Sequence, residues 1–307
     1  MIVKSKGDHF MSKFKIFADS CSDLSTELRK ANDVSYFRMN VVVAGEEKPA
    51  DLDWNEFSPE QLYAWVGDLK NHCKTTLVPG HEFESKMRPL LEQGYDILYI
   101  ACSGKLTGSM NTFNLVKSEL QEEFPDRKMI GVDSLCASMG EGLLALEAAR
   151  LQKEGKSLDE VVEWVEANKC RLNQWATVET LSYLKAAGRV SGASAFFGNI
   201  IGVKPIIISD LSGYNYVPEK VKGTKNALNR IFEGVKSGIE PGVTKTVYIG
   251  QGMAQDKQAA LKERIEKELG LNVVEFWIGP IIGTSCGPGV VGCWYFCKKV
   301  EIDSQGK

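Results

Sequence analysis

Hydrophobic residues in the first half of the chain alternate between short continuous runs and helical spacing. Phe14–Ala18 and Tyr95–Cys102 are nearly uninterrupted apolar runs, typical of parallel strands buried on both faces. Residues 62–69 place apolar side chains at i, i+3, i+4 and i+7, the spacing of one helix face. Lys128–Val132 predicts another strand, and Leu143–Leu151 lies in a long predicted helix. This alternation predicts a doubly wound parallel sheet.

The second half has a different pattern, because hairpins replace the regular alternation. Asp210–Gly213 is a short polar segment between two apolar runs, which is typical of a β-hairpin. Residues 254–269 predict a charged amphipathic helix. Further strands are predicted over Trp175–Val178, Thr246–Gly250, Leu271–Ile278 and Val290–Lys298. The second half is therefore expected to form a mixed sheet packed with helices.

The length of the chain favours two domains. It has 307 residues, and a domain has roughly 150. The pattern changes near Lys153–Lys156. We therefore predict an N-terminal α/β domain over residues 14–153 and a C-terminal α/β domain over residues 154–302.

Composition excludes several classes of protein. Hydrophobic residues make up 43% and charged residues 25%, which excludes a disordered chain. The formal net charge of -3 argues against nucleic-acid binding through bulk positive charge. Residues 276–297 carry no charge and are long enough to cross a bilayer. Their glycines and prolines, with Thr284 and Ser285 at the centre, instead favour two strands around a polar loop, so no stable membrane insertion is expected.

The eight cysteines do not form a recognisable metal or disulfide pattern. No C-x-x-C pair occurs, and His9, His72 and His81 lie far from the cluster at Cys286–Cys297. Zinc sites usually show paired short spacings of cysteine and histidine. Scattered cysteines in a long chain indicate a cytoplasmic protein with buried thiols, and no metal or cofactor is expected.

Three hydroxyl-rich segments are the strongest candidates for a binding site. Lys74–Thr76, Ser103–Ser109 and Gly283–Gly289 are each expected to be a loop after an apolar strand. Ligands of open α/β sheets bind beyond the carboxyl ends of strands. The second segment also leads into a helix, whose positive end favours an anion. Each segment alone is typical of an ordinary turn, but three together predict a shared polar site.

Other chemistry has weaker support in the sequence. Ser103–Ser109 lacks the G-K-[ST] ending of an ATP-binding loop, and no G-x-S-x-G motif marks a hydrolase serine. His81 is the best-placed histidine for acid–base work, although an exposed turn histidine is the stronger interpretation. Asp19 and Asp23 could bind a metal, but such pairs more often brace a loop. Arg189 follows a helix-ending glycine and either has a structural role or contacts a partner.

Six short motifs follow one another over nearly the whole chain, from Phe17 to Gly292. They are Asp19–Leu24, Lys74–Thr76, Ser103–Ser109, Val132–Gly140, Glu179–Leu184 with Gly188–Ser191, and Ile278–Gly289. Together they resemble the DegV family of bacterial fatty-acid-binding proteins, which act as binding subunits of fatty acid kinase.

The resemblance implies that a long-chain fatty acid lies between the two domains with its tail in an apolar tunnel. It implies that a threonine of the first hydroxyl-rich segment and a serine of the second, Ser103, hold the carboxylate. The residues expected around the carboxylate are Thr75, Thr76, Ser103, Thr107, Ser109, Thr284 and Ser285. The chain would then be no enzyme, because a separate fatty acid kinase phosphorylates the presented carboxylate. Arg189 would dock that kinase, with a structural ion pair as the alternative.

Three positions depart from the usual motifs of the family. Gly104 stands where a second serine is usual, and Leu77–Val78 intervene before Pro79. Ser285 stands where a histidine is frequent, so the head group would lack an imidazole partner.

Two other functions remain open. A small-molecule enzyme would use His81 and a nearby hydroxyl for acid–base chemistry, and a hydrogen bond from His81 to Ser103 or Ser285 would favour it. A binding protein for another anionic ligand would have a compact polar pocket instead of a long apolar tunnel.

Overall fold

A computed structural model describes residues 13–190 and 202–303 of the chain. Ser191, at the end of the Gly188–Ser191 motif, and His9 lie outside the described residues. The described strands are β1 (Phe14–Asp19), β2 (Val34–Phe37), β3 (Asn40–Val43), β4 (Glu46–Pro49), β5 (Lys74–Thr75), β6 (Asp96–Ala101), β7 (Met129–Asp133), β8 (Leu172–Thr177), β9 (Val203–Ser209), β10 (Asn215–Lys222), β11 (Thr246–Gly252), β12 (Asn272–Trp277) and β13 (Val290–Phe296). The described helices are α1 (Thr26–Asn32), α2 (Pro59–Gly67), α3 (Gly80–Glu92), α4 (Ser109–Glu123), α5 (Met139–Lys153), α6 (Leu158–Asn168), α7 (Ser182–Ala187), α8 (Thr224–Gly238), α9 (Gln255–Arg264) and α10 (Pro280–Cys286).

The first half of the chain forms a four-stranded sheet in the order β2-β1-β6-β7. Every neighbouring pair in this sheet is parallel. All six residues of β6 are buried, which explains its nearly uninterrupted apolar sequence. Two groups of helices cover the sheet: α3 packs on α4, and α5 packs on α1 and α6. The predicted doubly wound parallel sheet is confirmed.

The second half forms a six-stranded sheet in the order β10-β9-β8-β13-β11-β12. β11 and β12 pair in parallel, and the other described pairs of this sheet are antiparallel. β9 and β10 form the hairpin predicted around Asp210–Gly213. α8 and α9 pack on the sheet over a separate apolar core. The predicted mixed sheet is confirmed, and the helix predicted over residues 254–269 ends in a π turn over Ile265–Leu269.

The sequence over residues 34–43 has the character of a single extended run, but the structure divides it between two sheets. β2 belongs to the parallel sheet, whereas β3 belongs to a separate three-stranded sheet. The ladder breaks between them because side chains take the backbone N–H groups. Arg38 N donates to Glu82 Oε1 at 2.8 Å, and Met39 N donates to Ser20 Oγ at 3.0 Å.

This three-stranded sheet, in the order β4-β3-β5, was not predicted from the sequence. Its strand β4 is polar, and its edge strand β5 has only two residues, so neither shows an apolar pattern. The expectation that Lys74–Thr76 is a loop after an apolar strand is therefore wrong. The segment follows a 3₁₀ turn over Leu69–Asn71 and pairs with β3.

The glycine-rich segment at Gly283–Gly289 also differs from its prediction as a loop between two strands. Its first half belongs to helix α10. Pro280 occupies the first turn, where its missing N–H costs nothing, and Gly287 follows the helix with a φ of 75°. α10 packs against α2, α7 and β5, so it brings the second half of the chain against the first.

Helix α5 lies between the two sheets and contacts strands of both. It is buried along most of its length, and it approaches the loop after β1 closely at Gly142. A Cβ atom there would lie 2.8 Å from Ser22 O, so only glycine fits without a shift. One hydrophobic cluster joins side chains of both halves, for example Leu98 and Phe276. α6 packs on α5, and the domain boundary at residue 153 stays a prediction.

Candidate functional site

An enclosed cavity of about 290 Å³ lies between the two sheets. One wall consists of residues that follow the carboxyl ends of parallel strands, such as Met39 after β2 and Cys102 after β6. This is the position where open α/β sheets bind ligands. The opposite wall is apolar and comes from the mixed sheet and α10. Its residues include Ala176, Val178, Ile207, Ile278, Ile281, Ile282, Val290 and Trp294.

Thr75 and Thr76 both line the cavity, but their hydroxyl groups differ in what they already bond. Thr76 Oγ1 accepts from Asn40 N at 3.0 Å and donates to Leu77 O at 3.0 Å. Within the described part of the chain, Thr75 Oγ1 makes no hydrogen bond. Thr75 therefore keeps both a donor and an acceptor for a ligand.

The segment after β6 brings a second hydroxyl group to the cavity. Thr107 lines it, and Thr107 Oγ1 accepts from Ser109 N at 3.3 Å and lies 2.9 Å from Ser109 Oγ. Ser109 is buried outside the lining, and its Oγ accepts from Val78 N at 3.2 Å. If Ser109 donates to Thr107, Thr107 keeps its own proton for a ligand. Gly108 also lines the cavity immediately before α4, so the positive end of this helix lies at the wall.

The remaining predicted hydroxyl groups bond to the backbone. Ser103 is fully buried outside the lining and donates to Gly213 O at 2.7 Å. Thr284 and Ser285 donate to carbonyl groups four residues earlier in α10, at 2.7 and 3.2 Å. Ser285 is half-buried and lines the cavity, whereas Thr284 does not. The carboxylate roles stay predictions, but the geometry separates hydroxyls that face the cavity from hydroxyls that hold the backbone.

A second cavity, of about 370 Å³, meets the first at the surface. Thr75, Arg189 and Ser285 line both cavities and so mark the mouth between them. Arg189 is exposed, and it donates to Leu106 O at 2.9 Å and to Ala187 O. Among the described residues it makes no ion pair with a carboxylate, so the structural ion pair considered as its alternative role is not seen there. Within residues 13–190 and 202–303, its guanidinium therefore meets no carboxylate at the mouth.

A series of hydrogen-bonded polar side chains in the cavity wall was not predicted from the sequence. Trp294 Nε1 donates to Gln174 Oε1 at 3.1 Å, and Gln174 Nε2 donates to Asn215 Oδ1 at 2.7 Å. Asn215 Nδ2 in turn donates to Arg189 O at 3.2 Å. Alternation along β8 could have placed Gln174 on the same face as Ala176, but the partners come from distant strands. These hydrogen bonds connect Arg189 to strands β8, β10 and β13 of the mixed sheet.

Asp19 and Asp23 brace the loops behind the cavity, which was the expected alternative to a metal pair. Asp19 accepts from Tyr99 Oη at 2.6 Å and from two backbone N–H groups. Asp23 accepts from Ser138 Oγ at 2.5 Å and from Gly279 N at 2.9 Å. Burial raises the pKa of Asp19, and it raises the pKa of Asp23 to about 8. These carboxyl groups connect loops that are far apart in sequence.

The described residues do not place an acid–base pair for catalysis at the cavity. His81 is exposed in the first turn of α3 and makes no hydrogen bond to Ser103 or Ser285. His72 lines only the outer cavity. Burial raises the pKa of the cavity thiol Cys286 to about 12, so it stays protonated near neutral pH and is a poor nucleophile. The hydrogen bond from His81 to Ser103 or Ser285, which would have favoured a small-molecule enzyme, is therefore not present among the described residues.

The fold and the cavity define a structural class: α/β proteins in which a parallel sheet and a mixed sheet enclose an apolar cavity. A family model described as an uncharacterised protein of the DegV family matches residues 13–298. The chain belongs to the DegV family. No helix in residues 13–190 and 202–303 combines the length and the apolar character needed to cross a membrane.

Relatives match along nearly their whole length. A DegV domain-containing protein of Clostridium perfringens is 31% identical over 288 residues, which cover 93% of this chain and 98% of that protein. A Thermus thermophilus structure, described as fatty acid binding of a DegV family protein, is 28% identical and superposes with a TM-score of 0.82. The match covers 93% of this chain and 99% of that chain. Bacillus subtilis DegV, described as a fatty acid binding protein, is 24% identical with a TM-score of 0.81. The match covers 93% of this chain and 99% of that chain, and it shows that the two proteins share a fold.

Proposed function

We propose that this protein binds a long-chain fatty acid, with the tail in the enclosed cavity and the carboxylate at its mouth. One observation carries the proposal: the cavity lining is mostly apolar, while Thr75, Ser285 and Arg189 gather where it opens. An amphiphile with one anionic end matches that division of surface. The printed description of the Thermus thermophilus relative, as a fatty-acid-binding DegV protein, supports the same ligand class.

Burial of the tail is the main source of binding energy. About 15 methylene groups at about 0.8 kcal/mol each contribute about 12 kcal/mol. Loss of translational and rotational freedom costs about 4–15 kcal/mol and offsets much of this. The carboxylate must therefore keep its hydrogen bonds when it leaves water, since an unpaired buried charge would cancel the remaining gain.

Thr75 and Thr107 are the proposed partners of the carboxylate, with Ser285 beside them. Thr75 Oγ1 makes no hydrogen bond within the described ranges and can donate its O–H group, and Thr107 can do the same when Ser109 donates to it. The hydroxyl groups of Thr76, Ser103, Ser109 and Thr284 already bond to other parts of the chain. They are proposed to hold these partners in place.

Extraction of lipid from the purified protein tests this function. Mass spectrometry should find about one long-chain fatty acid per chain. Ala137 lines the cavity, so Ala137→Leu should lower the lipid content or select shorter chains. Ala31→Leu, on the exposed side of α1, makes the same change away from the cavity and should behave as wild type. Absence of lipid from wild type, with no uptake of added fatty acid, would refute the proposal, and uptake of another anion would favour the alternative ligand.

We further propose that the chain is no enzyme and presents the carboxylate to a separate fatty acid kinase in the cytoplasm. The position of Arg189 at the mouth, where it makes no ion pair with any described carboxylate, supports a contact with the kinase or its phosphate.

Kinase turnover by variants of the lipid-loaded protein tests that contact. Arg189→Ala should retain lipid and lower acyl-phosphate formation by more than about 10-fold, the loss of one charged contact. Lys185→Ala, which removes an exposed cation of α7 outside the cavity lining, is the control and should leave turnover unchanged. If Arg189→Ala instead loses lipid while its remaining loaded fraction turns over normally, the docking role is wrong.

A further inference from the structure

Two thiols and a carboxyl group meet on the parallel-sheet side of the cavity. Cys21, Cys102 and Glu141 each place one potential ligand atom within 4.8 Å of the other two, and all three residues are buried. Cys21 follows β1, Cys102 follows β6, and Glu141 lies in the first turn of α5. No other such group of three or more residues occurs in the described ranges.

Glu141 has an unused oxygen inside the protein. Its Oε1 accepts from Asp19 N at 2.9 Å, but its Oε2 is buried without any hydrogen-bond partner. A buried polar atom without a partner costs free energy and is uncommon, so it needs an explanation such as a bound ion. This observation is independent of the grouping of the two thiols.

The site can be reached from the cavity. Cys21 and Cys102 both line it, so an ion entering the cavity meets the two sulfur atoms without any unfolding. The thioether of Met39 also lines the cavity, and its Sδ lies 3.6 Å from Cys21 Sγ. The donors at this point of the wall are therefore mostly sulfur.

We propose that Cys21, Cys102 and Glu141 form a binding site for Zn²⁺. Thiolate and carboxylate are both normal zinc ligands, and three protein ligands with a free fourth position are typical of open zinc sites. Zn–S bonds of about 2.3 Å in a tetrahedral arrangement place two sulfur atoms about 3.8 Å apart. The three ligand atoms lie within 4.8 Å of one another, so the two sulfur atoms need to approach by at most about 1 Å. Two thiolates and a carboxylate carry three negative charges. With a divalent ion the site keeps about one net negative charge, and with Cu⁺ it would keep about two. The smaller charge costs less free energy to bury, which favours Zn²⁺.

This proposal does not depend on the fatty acid, because it rests on side chains that a lipid tail would not need. The test therefore uses the full chain both as purified and after lipid removal. Chelator-treated protein is titrated with Zn²⁺ against a chromophoric zinc chelator, and Co²⁺ is used as a spectroscopic probe for thiolate coordination. We expect one Zn²⁺ per chain in at least one of the two states, with a thiolate-to-Co²⁺ absorption band.

Matched variants identify the ligands. The double variant Cys21→Ser, Cys102→Ser should weaken Zn²⁺ binding by more than about 100-fold, and Glu141→Gln by at least about 10-fold. Cys293→Ser, a buried cysteine of the other core cluster, should bind as wild type. Cys73→Ser, beside His72 in the outer cavity, should also bind as wild type. Circular dichroism checks that each variant is folded. No uptake by wild type in either state, equal uptake by the folded double variant, or uptake lost only in Cys73→Ser would each overturn the proposal.

Discussion

Two groups of polar side chains surround the cavity and differ in what their hydrogen bonds already do. The mouth group, which lines the cavity, consists of Thr75, Thr107, Ser285 and Arg189. The bracing group, which does not line it, consists of Asp19, Asp23, Ser103 and Thr284. Thr75 Oγ1 has no hydrogen-bond partner among the described residues, and Arg189 donates there only to backbone carbonyls. By contrast, each side chain of the bracing group bonds to backbone or to another buried side chain.

Residue type alone therefore does not distinguish the side chains that line the cavity from the side chains that hold the surrounding loops in place. Both groups contain hydroxyl side chains from the same hydroxyl-rich segments: Ser103 and Thr107 lie four residues apart, and Thr284 and Ser285 are neighbours. Ser103 and Thr284 donate to backbone carbonyls and lie outside the cavity lining, whereas Thr107 and Ser285 line the cavity, although Ser285 also donates to Ile281 O. A change in the bracing group should therefore alter stability first, and a change at Thr75, Thr107 or Ser285 should alter ligand affinity first.

The largest expected effect is at Asp23. Asp23→Ala leaves Ser138 Oγ and Gly279 N without their buried partner, so it should lower the free energy of unfolding by about 2–4 kcal/mol. Asp23→Asn keeps an oxygen for Gly279 N and an amide that can donate to Ser138, so it should retain most of the stability. Urea unfolding of both variants measures the difference. Equal losses in the two variants would show that hydrogen bonding is not what Asp23 contributes.

A smaller effect is expected at Ser103, which the family resemblance places on the carboxylate. Ser103→Ala removes the donor to Gly213 O, and the buried carbonyl then lacks a partner. We expect a loss of about 1–3 kcal/mol in unfolding free energy with little change in fatty-acid affinity. Thermal unfolding and ligand titration on the same sample separate the two effects. Affinity reduced by more than about 10-fold at unchanged stability would move Ser103 into the mouth group.

Strand β6 and the hairpin of β9 and β10 were predictable from sequence because their apolar runs are visible locally, whereas β5, which carries Thr75, was not. Tyr95–Cys102 shows its apolar character at nearly every position, and residues 204–218 show two apolar runs around a glycine turn. Thr75, Thr107 and Arg189, which the motifs singled out, all line the cavity, and their roles toward a ligand stay predictions.

Other features could not be predicted because their causes are contacts between distant residues. The break between β2 and β3 depends on side chains of Glu82 and Ser20 that no local pattern reveals. Helix α10 is short and contains Gly283 and the β-branched Ile281, Ile282 and Thr284, so its propensity is weak, and its packing against α2 and α7 supports it. Likewise, Cys21 and Cys102 are 81 residues apart, and only the adjacency of β1 and β6 brings them together.

The most direct test of the central claim compares a long-chain fatty acid with the fatty alcohol of the same length. Both fill the cavity equally, but only the acid offers a carboxylate to the mouth group. We predict that wild type binds the acid about 10–100-fold more tightly, the usual range for hydrogen bonds to a charged group. Thr75→Val, which replaces the hydroxyl by a methyl of similar size, should narrow that preference by about 10-fold and leave alcohol binding unchanged. Equal affinity of wild type for acid and alcohol, or an unaltered preference in Thr75→Val, would contradict recognition of the carboxylate at this mouth.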